Sequence, residues 1–222
     1  MGSKNNPNPY SARMTFQWKY FSKAPVPLEG EQPHVLNIGC ADDPLEFGCG
    51  AMHYDIDDWS ATHKWFTQGD AHQLPFGDMS YHTVILGDIL EHAVDPVRMV
   101  CEAMRVCKDT MVLTIFEEWT LPGYGQYIKE GQENCDISSR DHGAKDREDF
   151  QRKTYPDRIG FPDNRIPHLA HINQFTDEDI GQLAGMVQRN GFEVMECIKV
   201  FEITHEGHDI YNWLVAAKRS NQ

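Results

Sequence analysis

The 222-residue chain is as informative for what it lacks as for what it holds. No apolar run approaches the ~20 residues that a membrane-spanning helix needs. No block of lysine and arginine appears; Asp and Glu outnumber Lys and Arg 34 to 20, for a formal charge of -14. A basic stripe able to displace counterions from nucleic acid is therefore missing, and no nucleic acid is expected as a partner. The six cysteines contain no Cys-x-x-Cys pair, which favours unpaired thiols in a reducing compartment. The first residues, Met1-Gly2-Ser3-Lys4-Asn5-Asn6, contain no apolar core of a secretory signal. Asn6 also stands where a myristoylation pattern wants Ser or Thr. The expectation is a cytoplasmic domain, away from membranes, acting on a small molecule; nothing in the sequence bears on oligomeric state. No internal repeat or low-complexity tract interrupts it.

What is present begins at Val35-Leu36-Asn37-Ile38-Gly39-Cys40-Ala41-Asp42-Asp43-Pro44-Leu45-Glu46. A short apolar run ends in a glycine turn, and a second run, Ala51-Met52-His53-Tyr54-Asp55, ends in a carboxylate. An α/β sheet builds a nucleotide pocket this way: glycine lets backbone approach the ligand, and the carboxylate takes the ribose hydroxyls. A dinucleotide turn would need glycines at positions 41 and 44, where Ala41 and Pro44 stand. That disfavours an NAD(P)-dependent oxidoreductase.

The pattern divides the chain into an arm, 1–33, and a domain, 34–222. In the arm, Tyr10, Met14, Trp18 and Phe21 fall on one helical face. That helix would either pack on the domain's edge or cover the cofactor, and Pro25, Pro27 and Pro33 stiffen the connector after it. Strands are expected at 35–38, 52–56, 65–68, 83–86 and 111–116. Between the last two, Asp95 caps a helix, Pro96 suits its first turn, and Val97, Val100, Cys101, Met104 and Cys107 form its stripe. Residues 118–172 break the rhythm and read as a substrate cover. A second helix is capped by Thr176, carries Ile180, Leu183, Ala184 and Val187 inward, and ends at Asn190-Gly191. Strands at 192–203 and 209–217 close the domain as an antiparallel hairpin. The fold class is α/β: a Rossmann-like, doubly wound, mostly parallel sheet of seven strands.

With these pieces in order, the chain resembles the class I S-adenosylmethionine-dependent methyltransferases, especially the type-11-like small-molecule group. The resemblance is carried by the glycine turn at 35–46, by His53-Tyr54-Asp55-Ile56-Asp57, and by Gly69-Asp70-Ala71-His72-Gln73-Leu74-Pro75-Phe76. A fourth segment is Val84-Ile85-Leu86-Gly87-Asp88-Ile89-Leu90-Glu91-His92. The resemblance implies S-adenosylmethionine as cofactor, held by Asn37, Gly39, Cys40, Ala41, Asp55, Ile56, Asp70, Ala71, Gly87 and Asp88. In it Gly39 avoids a collision with the methionine moiety, and backbone at Cys40 and Ala41 meets its charged ends. Asp55, or its competitor Asp57, accepts the ribose hydroxyls. Asp70 accepts from the adenine amino group, the Ala71 amide donates to the ring, and Gly87 with Asp88 lines the sulfonium end. The chain departs from the family at Asn37, often Asp or Glu, and at Cys107-Lys108-Asp109-Thr110, commonly a Lys-Pro-Gly-Gly turn.

Methyl transfer to oxygen or nitrogen needs alignment and, for a neutral acceptor, a base. Candidate bases are His92, Glu117 with its neighbour Glu118, and His142, His168 and His171 in the cover, where Tyr124 and Tyr127 could wall a pocket. Pro167 argues against a helix through His168-Leu169-Ala170-His171, and His205-Glu206-Gly207-His208 falls at a hairpin turn without His-Glu-x-x-His spacing, so no metal is expected. The alternative to an enzyme is a binding or scaffolding protein on a degenerate form of the same fold.

Overall fold

The computed structural model describes residues 12–41, 47–93, 95–117, 175–205 and 208–220. Among the described residues three helices, α1 (Ala12–Phe21), α2 (Pro96–Val106) and α3 (Asp177–Arg189), accompany seven strands. The strands are β1 (Val35–Ile38), β2 (Ala51–Asp55), β3 (Phe66–Gln68), β4 (Tyr81–Gly87), β5 (Cys107–Glu117), β6 (Phe192–His205) and β7 (His208–Arg219). They form one sheet in the order β3-β2-β1-β4-β5-β7-β6. The first five strands run parallel, and β7 lies antiparallel between β5 and β6. Strand order reverses beside β1, between β1 and β4, which is where an open α/β sheet leaves a crevice at its carboxyl edge.

Both faces are covered, and alternation along the strands sorts side chains between them. Leu36, Ile38, Val84, Leu86, Met111, Leu113 and Ile115 meet α2 and α3 in the main core. Val35, Ile85, Val112, Leu214 and Ala216 meet α1 in a smaller one. Central parallel strands buried on both sides read as nearly unbroken apolar runs, as β1 and β4 do.

The predicted caps form. Asp95 accepts from the Arg98 amide with Pro96 in the first turn of α2. Thr176 and Asp179 make a reciprocal capping box on α3. Three sequence expectations need correction. Docking across β4, β5 and β7 makes α1 bury Phe16, Gln17 and Tyr20 most deeply; of the predicted face Met14 and Phe21 pack against the smaller core, Trp18 is exposed, and Tyr10 lies outside the described residues. In α3, Met186 is buried in place of Ala184. Cys107 leaves the helical stripe and opens β5, which starts without a connecting turn. With no proline or glycine there, the chain goes straight from helix to strand, and Arg219 donates to the carbonyls of Met104 and Cys107 that the junction exposes.

Cys40, Cys107 and Cys197 are thiols, but Cys101 is disulfide-bonded, against the expectation of unpaired cysteines throughout. Among the described residues no helix is long and apolar enough to cross a membrane.

Candidate active site

Where the carboxyl ends of β1, β2, β3 and β4 meet, they enclose a cavity of about 230 Å³. Its lining includes Gly39, Ala41, Tyr54, Asp55, Ile56, Asp57, Trp59, Gly69, Asp70, Ala71, His72, Asp88, Ile89, His92 and Met99. Four carboxylates, at positions 55, 57, 70 and 88, face it, and no lysine or arginine is among the described lining residues.

The glycine turn is fixed by the strand beside it. Gly39, at φ +72, donates its amide to the Tyr54 carbonyl at 2.8 Å. A Cβ there would lie 2.7 Å from Ile89 Cδ1, so the collision glycine avoids is with the protein itself. Ala41 then donates to Asp55 Oδ2 at 2.9 Å, and the Asp57 amide donates to Asp55 Oδ1 at 3.0 Å. Each Asp55 oxygen spends one lone pair on backbone and keeps another.

Across the cavity, Asp70 Oδ1 accepts from the His72 amide and ring. His72 Nε2 accepts the Asp95 amide at 3.1 Å, so its proton sits on Nδ1 and points at Asp70. That contact and nearby Arg98 hold the Asp70 carboxyl below the usual carboxylate range against the opposing effect of burial. Arg98 Nε donates to the His72 carbonyl at 2.7 Å, tying the start of α2 to the same loop. Gly69 makes room for Tyr54, whose hydroxyl donates to the Asp70 carbonyl at 3.2 Å. Burial first, then the charges of Asp70 and Glu102, push that phenol up to about 12.

At the third side, Asp88 has φ +48 and accepts from Thr114 Oγ1 at 2.9 Å. Thr114 in turn accepts from Gln17 Nε2 at 2.7 Å, and Arg13 pairs with the Asp88 carboxylate. α1 thus reaches the cavity's rim through two polar side chains. His92, on a 3-10 turn (Leu90–His92), lines the cavity partly buried.

Of the residues singled out from sequence, Gly39, Ala41, Asp55, Ile56, Asp57, Asp70, Ala71, Asp88 and His92 come together here. Asn37, Cys40 and Gly87 do not line the cavity. Asn37 pairs in register with His53 on the opposite face of the sheet, its amide 3.4 Å from the His53 ring. Cys40 is buried beside His53 and His63. Gly87 admits Gln17, since a Cβ there would lie 2.7 Å from its Nε2. Glu117 ends β5 and its side chain, like Glu118, Tyr124, Tyr127, His142, His168 and His171, lies outside the described residues. Trp59, His72, Ile89 and Met99 were missed. His72 lay within a quoted segment, but only folding shows that it joins Asp70 to the start of α2.

Residues 49–115 match the model of a family described as a methyltransferase domain. No curated protein matches the sequence. Solved structures share the frame. The YcgJ protein of Bacillus subtilis is 12% identical with a TM-score of 0.52, covering 94% of this chain and 99% of its own. A SAM-dependent methyltransferase from Thermotoga maritima is 13% identical at TM-score 0.53, with coverages of 94% and 90%. The [4+2]-cyclase SpnF is 13% identical at 0.53, with coverages of 98% and 86%. At such identities the likeness is one of fold.

Proposed function

We propose that this chain, a class I S-adenosylmethionine-dependent methyltransferase, moves a methyl group to an oxygen, or next a nitrogen, of a small molecule. The observation that carries the reading is the ring of four carboxylates without a lining cation. A cofactor with a sulfonium and an ammonium suits that field, whereas a dinucleotide's pyrophosphate would meet repulsion from Asp55, Asp57 and Asp70, the carboxylates that Arg13 does not pair.

The residues fit such a cofactor. Asp55 keeps lone pairs on both oxygens for two ribose hydroxyls. Asp70, with Oδ1 committed to His72, offers Oδ2 to an exocyclic amine beside the Ala71 amide. Gly39 and Ala41 bring backbone to the methionine end, beside Asp88 and its partner Arg13. When bound, the cofactor supplies a methyl group on an already activated carbon. The chain's own part is to align the acceptor and remove its proton. In this reading His92, which lines the cavity, takes that proton to its imidazole from a hydroxyl or amine as the new bond forms.

Calorimetry with S-adenosylmethionine, S-adenosylhomocysteine and NAD tests the reading. Both adenosyl ligands are expected to bind and NAD is not. D55A should weaken the adenosyl ligands roughly 10- to 100-fold, the loss of charge-assisted hydrogen bonds. D55N, which keeps one acceptor oxygen, should fall between. Absence of adenosyl-ligand binding in the folded wild type would overturn the proposal. A labelled-methyl assay over hydroxyl and amine acceptors is run beside it, because one frame can house several chemistries.

A further inference from the structure

Asp88 faces the cavity with a cation attached. It stands just past β4 at φ +48, a left-handed backbone that a residue other than glycine keeps only when its surroundings hold it. Three contacts do so. Its amide donates to the Thr114 carbonyl at 2.9 Å, its Oδ1 accepts from Thr114 Oγ1 at 2.9 Å, and its Oδ2 pairs with the Arg13 guanidinium of α1. Thr114 accepts in turn from Gln17 Nε2 at 2.7 Å. Arg13 and Gln17 sit one helical turn apart on the same face of α1, so a single helix both positions the carboxylate and pairs it. The two charged side chains are 34% and 18% exposed, which spares them the full screening of a surface pair. The site lies against the glycine turn: the Ile89 side chain, next in the chain, fills the space beside Gly39, and both line the cavity with Ala41.

We infer that Arg13 and Asp88 together read the α-amino-acid zwitterion of the cofactor, Arg13 its carboxylate and Asp88 its ammonium; the inference rests on the cofactor reading given above. A carboxylate entering this cavity is repelled by Asp55, Asp57 and Asp70, so it settles beside a cation or not at all. Arg13 brings a cation to the wall where Gly39 and Ala41 present backbone. Its planar fork of N–H donors can keep Asp88 and take a second carboxylate beside it. Each oxygen of a carboxylate accepts more than one donor, so Asp88 can add an ammonium to Thr114 and Arg13. The four charges then alternate in sign, and the zwitterion enters without adding net charge. Asn37, where the resembling family often has Asp or Glu, pairs with His53 on the opposite face, which leaves Asp88 as the carboxylate set to meet the ammonium. Arg13 lies in the arm, outside the residues 49–115 that match the methyltransferase model, so no motif of the domain includes it.

Calorimetry with S-adenosylhomocysteine and with methylthioadenosine, which keeps the nucleoside and lacks the amino-acid end, isolates this contribution. The full-length wild type should bind S-adenosylhomocysteine more tightly by roughly 10-fold or more. R13Q and D88N should each weaken that ligand by roughly 10-fold and methylthioadenosine by less than about 2-fold. D88N keeps an oxygen for Thr114, and R13K, with the charge but not the fork, should fall between R13Q and wild type. Tm of each variant reports whether α1 stays docked. Equal wild-type affinity for the two ligands, variants as tight as wild type, or a loss that is the same for both ligands would overturn the inference and leave the cofactor reading standing. A folded wild type that binds neither ligand would remove the cofactor reading, and the inference with it.

Discussion

At Gly39 two constraints coincide: a positive φ, and a Cβ position 2.7 Å from Ile89 Cδ1. G39A is therefore expected to destabilise by about 2 kcal/mol or more, from left-handed strain plus the clash. Urea unfolding measures this. Because Ile89 lines the cavity, adenosyl-ligand affinity should fall with it. Asp70 gives a pH signature. Its carboxyl is held below the ordinary range, chiefly by His72. Its stabilisation is thus fully present above the unfolded carboxylate pKa and lost as pH falls through the lowered folded value. H72Q should move the onset of acid unfolding to higher pH, read from Tm across an acid series. An unchanged acid limb would mean that His72 does not set the Asp70 ionisation. Cys107 lies at the other extreme: burial pushes its thiol up to about 12, so it should resist alkylation at neutral pH while exposed Cys197 reacts.

Helix α1 and helix α2 hold the cavity from opposite faces of the sheet, by different means. α2 is tied to the β3–β4 connection through Arg105, which donates to the carbonyls of Leu74 and Phe76 and to Glu102 and Asp78. A lysine cannot reproduce that planar fork, so R105K should cost about 1–3 kcal/mol by denaturant titration. α1 enters through Gln17, whose amide reaches Thr114 past the space left by Gly87. G87A should displace the Gln17 amide rather than any backbone. Q17A and G87A should therefore each destabilise, and the double variant should cost clearly less than their sum. The caps of α2 and α3 were legible because Asp95-Pro96 and Thr176 to Asp179 act within one turn of their own helices. The buried stripe of α1 was not. A ten-residue helix offers more than one apolar face, and contact with β4, β5 and β7 chooses among them.

Over the whole molecule, negative charge and the carboxylate-lined cavity act in the same direction on a cationic cofactor. Raising salt from 0.05 to 0.5 M, about a threefold shorter screening length, should weaken S-adenosylmethionine binding a few-fold, and calorimetry at the two concentrations reads it. The sequence alone determined the elements and the carboxylates at their ends: alternation, caps and the glycine turn are properties of neighbouring residues, so a linear pattern encodes them. Asp55, Asp70 and Asp88 were found because a parallel sheet delivers the carboxyl ends of its strands to one edge. Only the tertiary structure decided which way neighbouring residues turn from there. Asn37 and His53 are neighbours because β1 and β2 pair in that register, and Cys40 meets His63 because the loop after β2 folds back over the turn. Such contacts join residues far apart in the chain through strand register and packing, and no local pattern carries either.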